Sequence, residues 1–398
     1  MGSHLSRSEH ARAILFSMKS LNNSVLREPG MPLLVIMTVL SFSGFAALLP
    51  VAPMWAIEGG ADAGGAGLVN GILMLFTVLT QLLVPSALRR FGWEPVLVTG
   101  MILLGLPTAG FFLSNSLGSI LFFSALRGLG FGVITVTGSA LVAELVDPMR
   151  RGQAIGIYGL AIAGPQIIFI SGGPWLAETV GFGLIFAVGL LPLLGVVPAY
   201  LLGKKAERVP KSEGKPPYGQ LFRPVVLLLA VTLAGGALIS FMAQMTSSAG
   251  LSTIALLVLT VTTAVSRWRF GGLADTYGAS RFTWPLVVTT VVGMSLLGWA
   301  VSDPDSTVVT PLLIGAALVG ISYGGLQNLT LVLAFQAVKR EHYGSASASW
   351  NVGFDAGTGL GSVLIGAIAT AFSFSTAVLL VGAVSLLTVP VALRGRHS

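Results

Sequence analysis

The chain has 398 residues, of which 54% are hydrophobic and 9% charged, and its mean hydropathy is +0.87. A water-soluble domain carries about 25% charged residues, so lipid must be the solvent for much of this surface, which excludes an ordinary soluble enzyme or binding module. The absence of Cys excludes disulfides and thiolate metal sites, and the net charge of +7 has to be judged by where the bases fall.

Residues 1–31 are too polar at the start for a secretory signal, and the first apolar run is too long for a signal core. Within this cytoplasmic N-terminal segment, residues 11–26 place Ile14, Leu15, Met18 and Leu21 near one helical face. A short helix on the membrane surface and a frayed tail both fit that pattern. Twelve apolar runs follow, at 32–56, 66–88, 96–113, 118–143, 153–171, 181–203, 224–246, 250–266, 283–301, 308–338, 345–371 and 374–393. Each is close to the roughly 20 residues that cross a bilayer as a helix.

Of the 22 Lys and Arg, 21 fall before span one, after the even-numbered spans or at the end of the chain. Arg127, inside span four, is the exception. The opposite loops carry Glu58, Asp62, Glu178, Asp303 and Asp305 and no base. This asymmetry predicts both termini in the cytoplasm and an even number of spans in the cell inner (plasma) membrane. The basic charge is therefore a topology signal, and no nucleic-acid partner is expected. His4, His10, His342 and His397 all lie outside the apolar runs and form no metal-ligand spacing, so neither a metal nor another cofactor is expected.

The stretch 204–223 is rich in charge and Pro and reads as a cytoplasmic linker between an N-terminal half, 32–203, and a C-terminal part, 224–398. The halves carry traces of duplication. At an offset of 192 residues, Arg127-Gly-Leu-Gly-Phe-Gly132 aligns with Val319-Gly-Ile-Ser-Tyr-Gly324, and Gly152, Ala154 and Tyr158 align with Gly344, Ala346 and Trp350. At an offset of 186, Phe91-Gly92 pairs with Tyr277-Gly278. Two parallel six-helix repeats with a substrate path between them form a transporter architecture.

The loop expected after span eight reads Arg269-Phe-Gly-Gly-Leu-Ala-Asp-Thr-Tyr-Gly-Ala-Ser-Arg281. Here the chain resembles the major facilitator superfamily, in particular its twelve-span drug:proton antiporters, whose signature G-x-L-A-D-R-x-G-R-K often recurs between spans eight and nine. Gly271, Leu273, Ala274, Asp275 and Gly278 match it. The resemblance implies an all-α membrane fold of twelve transmembrane helices in two pseudo-symmetric six-helix bundles. It also implies a cytoplasmic latch formed by Arg269, Gly271, Gly272, Asp275 and Gly278, although an ordinary capped turn would have the same residues. The first-half copy is degenerate, with Pro85 and Arg89 standing where Gly and Asp are usual.

Two ionisable residues lie well inside spans and are functional candidates by default. Arg127 occupies the place of the R-x-x-x-G pattern of proton-coupled exporters, inexactly, because Phe131 stands at its glycine. The alternative is an arginine bonded only to backbone carbonyls. Asp355, in span eleven, is either a proton carrier or a fixed partner for helix ends. Gly164-Pro165 is a partial match to the glycine-rich span five of antiporters. In the family, spans one, four, seven and ten line the cavity. The resemblance therefore nominates Tyr323, Gln327, Asn328, Gln244 and Arg127 as substrate contacts, with Asn351 beside Asp355 as a further candidate.

The expected function is proton-coupled efflux of a lipophilic or amphiphilic small molecule by a monomer in contact with membrane lipid, Asp355 and Arg127 exchanging partners as protons move. The alternative is an uncoupled facilitator or a sugar or siderophore exporter. A membrane enzyme or receptor is remote, since the spans hold no catalytic pair and no P-loop occurs.

Overall fold

The computed structural model describes residues 25–146, 151–206, 218–303, 306–339 and 342–393. Much of the N-terminal segment and the middle of the linker, including the surface helix expected at 11–26, lie outside these residues. Twelve described helices are long and apolar enough to cross a membrane. They are α1 (Met31–Glu58), α2 (Ala63–Phe91), α3 (Trp93–Phe112), α4 (Leu117–Leu145), α5 (Arg151–Thr179) and α6 (Phe182–Gly203) in the first half. The second half comprises α7 (Tyr218–Met245), α8 (Ala249–Tyr277), α9 (Ser280–Ala300), α10 (Val309–Gln336), α11 (Tyr343–Ala371) and α12 (Phe374–Leu393).

Local chemistry sets many of the boundaries. Asp62 caps α2 by accepting the Gly65 amide at 2.7 Å, Ser248 caps α8 through the Leu251 amide, and Ser373 caps α12 through the Thr376 amide. Pro32 sits in the first turn of α1, where a missing amide hydrogen costs nothing. Gly92 and Gly278 end α2 and α8 at the same backbone angle, φ +83°. That left-handed conformation needs glycine, and the two positions are those paired by the 186-residue offset.

The other offset has a structural counterpart too. On α4, a Cβ at Gly128 or Gly132 would strike the carbonyl oxygens of Leu73 and Thr77 on α2. On α10, a Cβ at Gly320 or Gly324 would strike those of Leu259 and Thr263 on α8. Each pair of glycines lets two backbones touch at the equivalent place in the two halves, the small-residue packing expected where lipid offers no hydrophobic drive. α1 and α7 form the centre: 78% and 83% of their most apolar stretches are buried, against 33% for α8. The outward faces of the other helices carry Leu82, Leu83 and Leu113, apolar side chains that would meet lipid chains.

Two boundaries differ from the sequence reading. Tyr218–Arg223, expected in the linker, form the first turns of α7, and Arg223 donates to the Val391 and Ala392 carbonyls of α12. The 269–277 stretch, expected as a loop, is helical and continues α8 to its glycine cap. In both places charge ended the apolar run before the backbone hydrogen bonding ended.

The spans alternate, so one end of the bundle carries the bases and the other Glu58, Asp62 and Glu178. Five hydrogen bonds join the halves among the described residues, all between the acidic end and mid-depth. Gly64 donates to Thr370 Oγ1 at 2.7 Å, and Ser362 donates to the Gly67 carbonyl at 3.0 Å, both between α2 and α11. Asn70 on α2 donates to Ser240 on α7 at 2.8 Å and, within its own half, to the Leu49 carbonyl at 2.7 Å. Ser171 on α5 and Thr260 on α8 share a bond at 3.1 Å, and Gln81 on α2 donates to Asp355 on α11 at 2.5 Å. Beyond Gln81 and Asp355 toward the basic end, no hydrogen bond is seen between a described residue of one half and a described residue of the other. Among the described residues the halves are therefore bonded to each other on the acidic side of Asp355 and not on its basic side.

Candidate functional site

The seam ends at Asp355. Its helix can reach that depth because α11 is lined with glycine: a Cβ at Gly357 or Gly361 would strike the Leu229 or Leu233 carbonyl of α7, and one at Gly359 would press on Met74 of α2. Asp355 is only 3% exposed, and it is the one acidic side chain found buried among the described residues. Its Oδ2 accepts from Gln81 Nε2, which also donates to Thr135 on α4 at 3.1 Å, so three helices meet there. No cation pairs with Asp355 among the described residues.

One turn further round the bundle stands α10. The Tyr323 ring lies on the α7 backbone where Gly235 leaves room, and it interacts electrostatically with Asp355. Phe354 packs on Tyr323 at 6.1 Å between ring centroids and stacks with Trp350 at 5.6 Å, while Trp350 Nε1 donates to Thr330 at 3.0 Å. Gln327, 3% exposed, accepts from Arg267 Nη1 of α8 at 3.3 Å. Asn328 donates to the Arg267 carbonyl at 3.1 Å and so binds α10 to α8. Asn351 donates to the Ser347 carbonyl of its own helix.

Arg267 is the residue the sequence reading misplaced. It was expected among loop bases after span eight, yet it lies inside the continuing α8, seven residues before Ala274. Its side chain is exposed and reaches Gln327 of α10. The hydroxyls of Tyr158 on α5 and Tyr323 on α10 lie within electrostatic reach of its charge. Tyr158 in turn reaches across to α4, where a Cβ at Gly138 would meet its hydroxyl.

Arg127 is elsewhere. It is 1% exposed within the first half, donates from Nη2 to the Gly44 carbonyl of α1 at 3.0 Å, and lies 5.9 Å from the Phe111 ring centroid. Its Nε has no partner. It shares no hydrogen bond or ion pair with Asp355, so the expected exchange of partners between the two has no counterpart in this arrangement. In this arrangement it ties α4 to α1 through a backbone carbonyl.

Gln244 is also apart from Asp355. It lines a cavity of ≈ 470 Å³ at the acidic end with Glu58, Glu178 and Phe182, and both ends of its amide lack a partner. Of the latch residues, Arg269 is exposed and its guanidinium lies 6.0 Å from the Trp268 ring centroid. A Cβ at Gly271 would make ordinary contact with Asn328, and one at Gly272 would meet open space. The Asp275 side chain lies outside the described residues.

Sequence reasoning missed Gln81 and Thr135, the partners that fix Asp355. Their only signal was amide and hydroxyl character within apolar runs, which many packing residues share.

The major facilitator superfamily model matches residues 34–313 and 268–397. The synaptic vesicular amine transporter of Bos taurus is 26% identical over 332 residues, 79% of this chain and 62% of the relative, so this chain spans less than two thirds of that relative's length. A multidrug resistance protein, MdtH of Aeromonas hydrophila, is 25% identical over 266 residues, 64% of this chain and 66% of the relative. Among solved structures, a bacterial homologue of the human lysosomal transporter Spinster, in an inward-facing and occupied conformation, superposes with a TM-score of 0.73. That match has 15% identity and covers 92% of this chain and 95% of the other. The chain is a multi-pass membrane protein by its twelve apolar helices, and it belongs to the major facilitator superfamily.

Proposed function

We propose that this transporter exports amphiphilic small molecules in exchange for protons, as a monomer in the inner (plasma) membrane with its basic end in the cytoplasm. Asp355 carries the reading. It is a buried carboxyl at the seam between the halves, held by Gln81 of the opposite half and by no cation among the described residues. An ionised carboxylate only accepts hydrogen bonds, whereas a protonated one also donates. Each proton bound or released there changes the free energy of holding α2 against α11, and so biases which end of the molecule is open.

Placement supports the same reading. Asp355 is the last bond of the seam before the opening, where cargo entering from the basic end would arrive and where the aromatic wall of Tyr323, Phe354 and Trp350 begins. The concentration of bases at that end favours a cytoplasmic orientation. Similarity to a multidrug resistance protein and to a vesicular amine transporter supports a small amphiphilic cargo.

The reading is tested on purified protein in weakly buffered detergent, with a pH electrode following additions of amphiphilic cations, anions and neutral compounds. Compounds that bind should change the number of protons held by the wild type and not by Asp355→Asn, with binding retained in both. Binding without proton uptake or release by the wild type would leave an uncoupled facilitator.

A further inference from the structure

We infer that the cleft binds the anionic group of its cargo through Arg267, so that the amphiphile carried is an organic anion, with a carboxylate or an equivalent acidic head. This rests on the transport reading above and narrows it.

Arginine stays charged in any protein environment and offers five N–H donors in a planar fork. Here one of those donors is used, on Gln327 Oε1 at a long 3.3 Å, and the side chain is otherwise exposed to the cleft. No carboxylate among the described residues forms an ion pair with it. Its electrostatic neighbours are two hydroxyls, those of Tyr158 and Tyr323, which can themselves donate to an anion. The guanidinium thus presents most of its donor fork with no carboxylate among the described residues to occupy it. It is the arrangement expected where the counter-ion arrives with the ligand.

The surroundings also fit the rest of an amphiphile. The stacked rings of Phe354 and Trp350 continue from Tyr323 in the packing beside it, an apolar surround into which the body of an amphiphile could be accommodated when the halves move. The anion site draws on both halves, Tyr158 from the first and Arg267 and Tyr323 from the second. A bound anion would therefore bridge the two sides of the cleft and favour its closure around the cargo.

The test uses three aromatic carboxylates, benzoate, 1-naphthoate and indole-3-acetate, each paired with its primary amide and with the corresponding amine. Binding is read by quenching of tryptophan fluorescence in the purified full chain. At least one acid should bind about tenfold more tightly than its amide, the loss expected when a charge-assisted bidentate contact becomes a neutral one. Arg267→Gln should abolish the acid preference, and Arg267→Lys should keep part of it. Gln327→Glu supplies an internal carboxylate beside the guanidinium. It should abolish the preference while retaining or raising the melting temperature, which keeps the test decisive if Arg267→Gln fails to fold. The inference is overturned if no acid exceeds its amide, if the amines bind best, or if the preference survives in Gln327→Glu. Proton-driven flux of an amine through Arg267→Gln in proteoliposomes would sink the anion site while leaving the transport reading intact. An anion preference without any proton movement would do the reverse.

Discussion

The seal at the acidic end can be wedged open at one atom. Gly67 on α2 faces the Ser362 carbonyl of α11, and a Cβ at Gly67 would stand 2.5 Å from that oxygen. The obstacle is backbone, so it cannot rotate away, and Gly67→Ala must separate α2 from α11 by a good part of an ångström. Overpacking of this kind costs about 1–3 kcal/mol. The cost falls on the state described here, because a conformation with the acidic ends apart would relieve it. At about 1.4 kcal/mol per tenfold, the population should move by a factor of about 5 to 150 toward the acid-open state. The chain has no Cys, so Phe91→Cys and Tyr277→Cys can be spin-labelled without background. Both positions are exposed at the basic end, one on each half, just before the equivalent glycine caps. Electron–electron distance measurements should show a shorter separation gaining population in Gly67→Ala. An unchanged distribution in a monodisperse, folded variant would refute the claim that this contact seals one of two alternating states.

Other substitutions separate sealing from packing. Ser240→Ala removes one neutral hydrogen bond between the halves and should shift the same distance distribution in the same direction, by about 0.5–1.5 kcal/mol. Gly324→Ala drives a Cβ into the Thr263 carbonyl within one half, so it should lower the melting temperature by an amount equivalent to about 1–3 kcal/mol and leave the distribution unmoved. Arg127→Lys can replace the single bond to the Gly44 carbonyl and should keep stability and proton coupling. Arg127→Leu removes this charge-assisted bond, the Gly44 carbonyl keeping its place in the helix, and should cost about 1.5–3 kcal/mol of stability. Single cysteines at Phe91 and Phe372 should react with an impermeant thiol reagent from opposite sides of the membrane, Phe372 from outside; the reverse pattern would invert the proposed orientation.

The twelve spans were legible because lipid imposes one requirement, an apolar run long enough to bury its own backbone. The repeat was legible because glycine is the only residue that admits the same backbone contacts, at Gly128 and Gly132 and again at Gly320 and Gly324. Asp355 could be singled out because an acid inside a span is expensive. What it touches could not be read, since Gln81 lies 274 residues away and only packing joins them. Arg267 was hidden by its neighbours: beside Arg269 it reads as the start of a basic loop, yet the helix runs on for ten more residues and carries it into the cleft. Arg127 was half legible, for the opposite reason. Its depth was evident, but its partner is a backbone carbonyl, which leaves no trace in side-chain composition.

The most direct test of proton coupling at the seam uses proteoliposomes with an imposed pH gradient, an internal pH-sensitive dye and a carboxylate selected by the binding experiment. Wild-type protein should accumulate the compound against its gradient with matching proton movement, and lose the accumulation when a protonophore is added. Asp355→Asn should equilibrate the compound without concentrating it. Accumulation by Asp355→Asn equal to that of the wild type would contradict the assignment of Asp355 as the group that couples protons to the opening and closing of the halves.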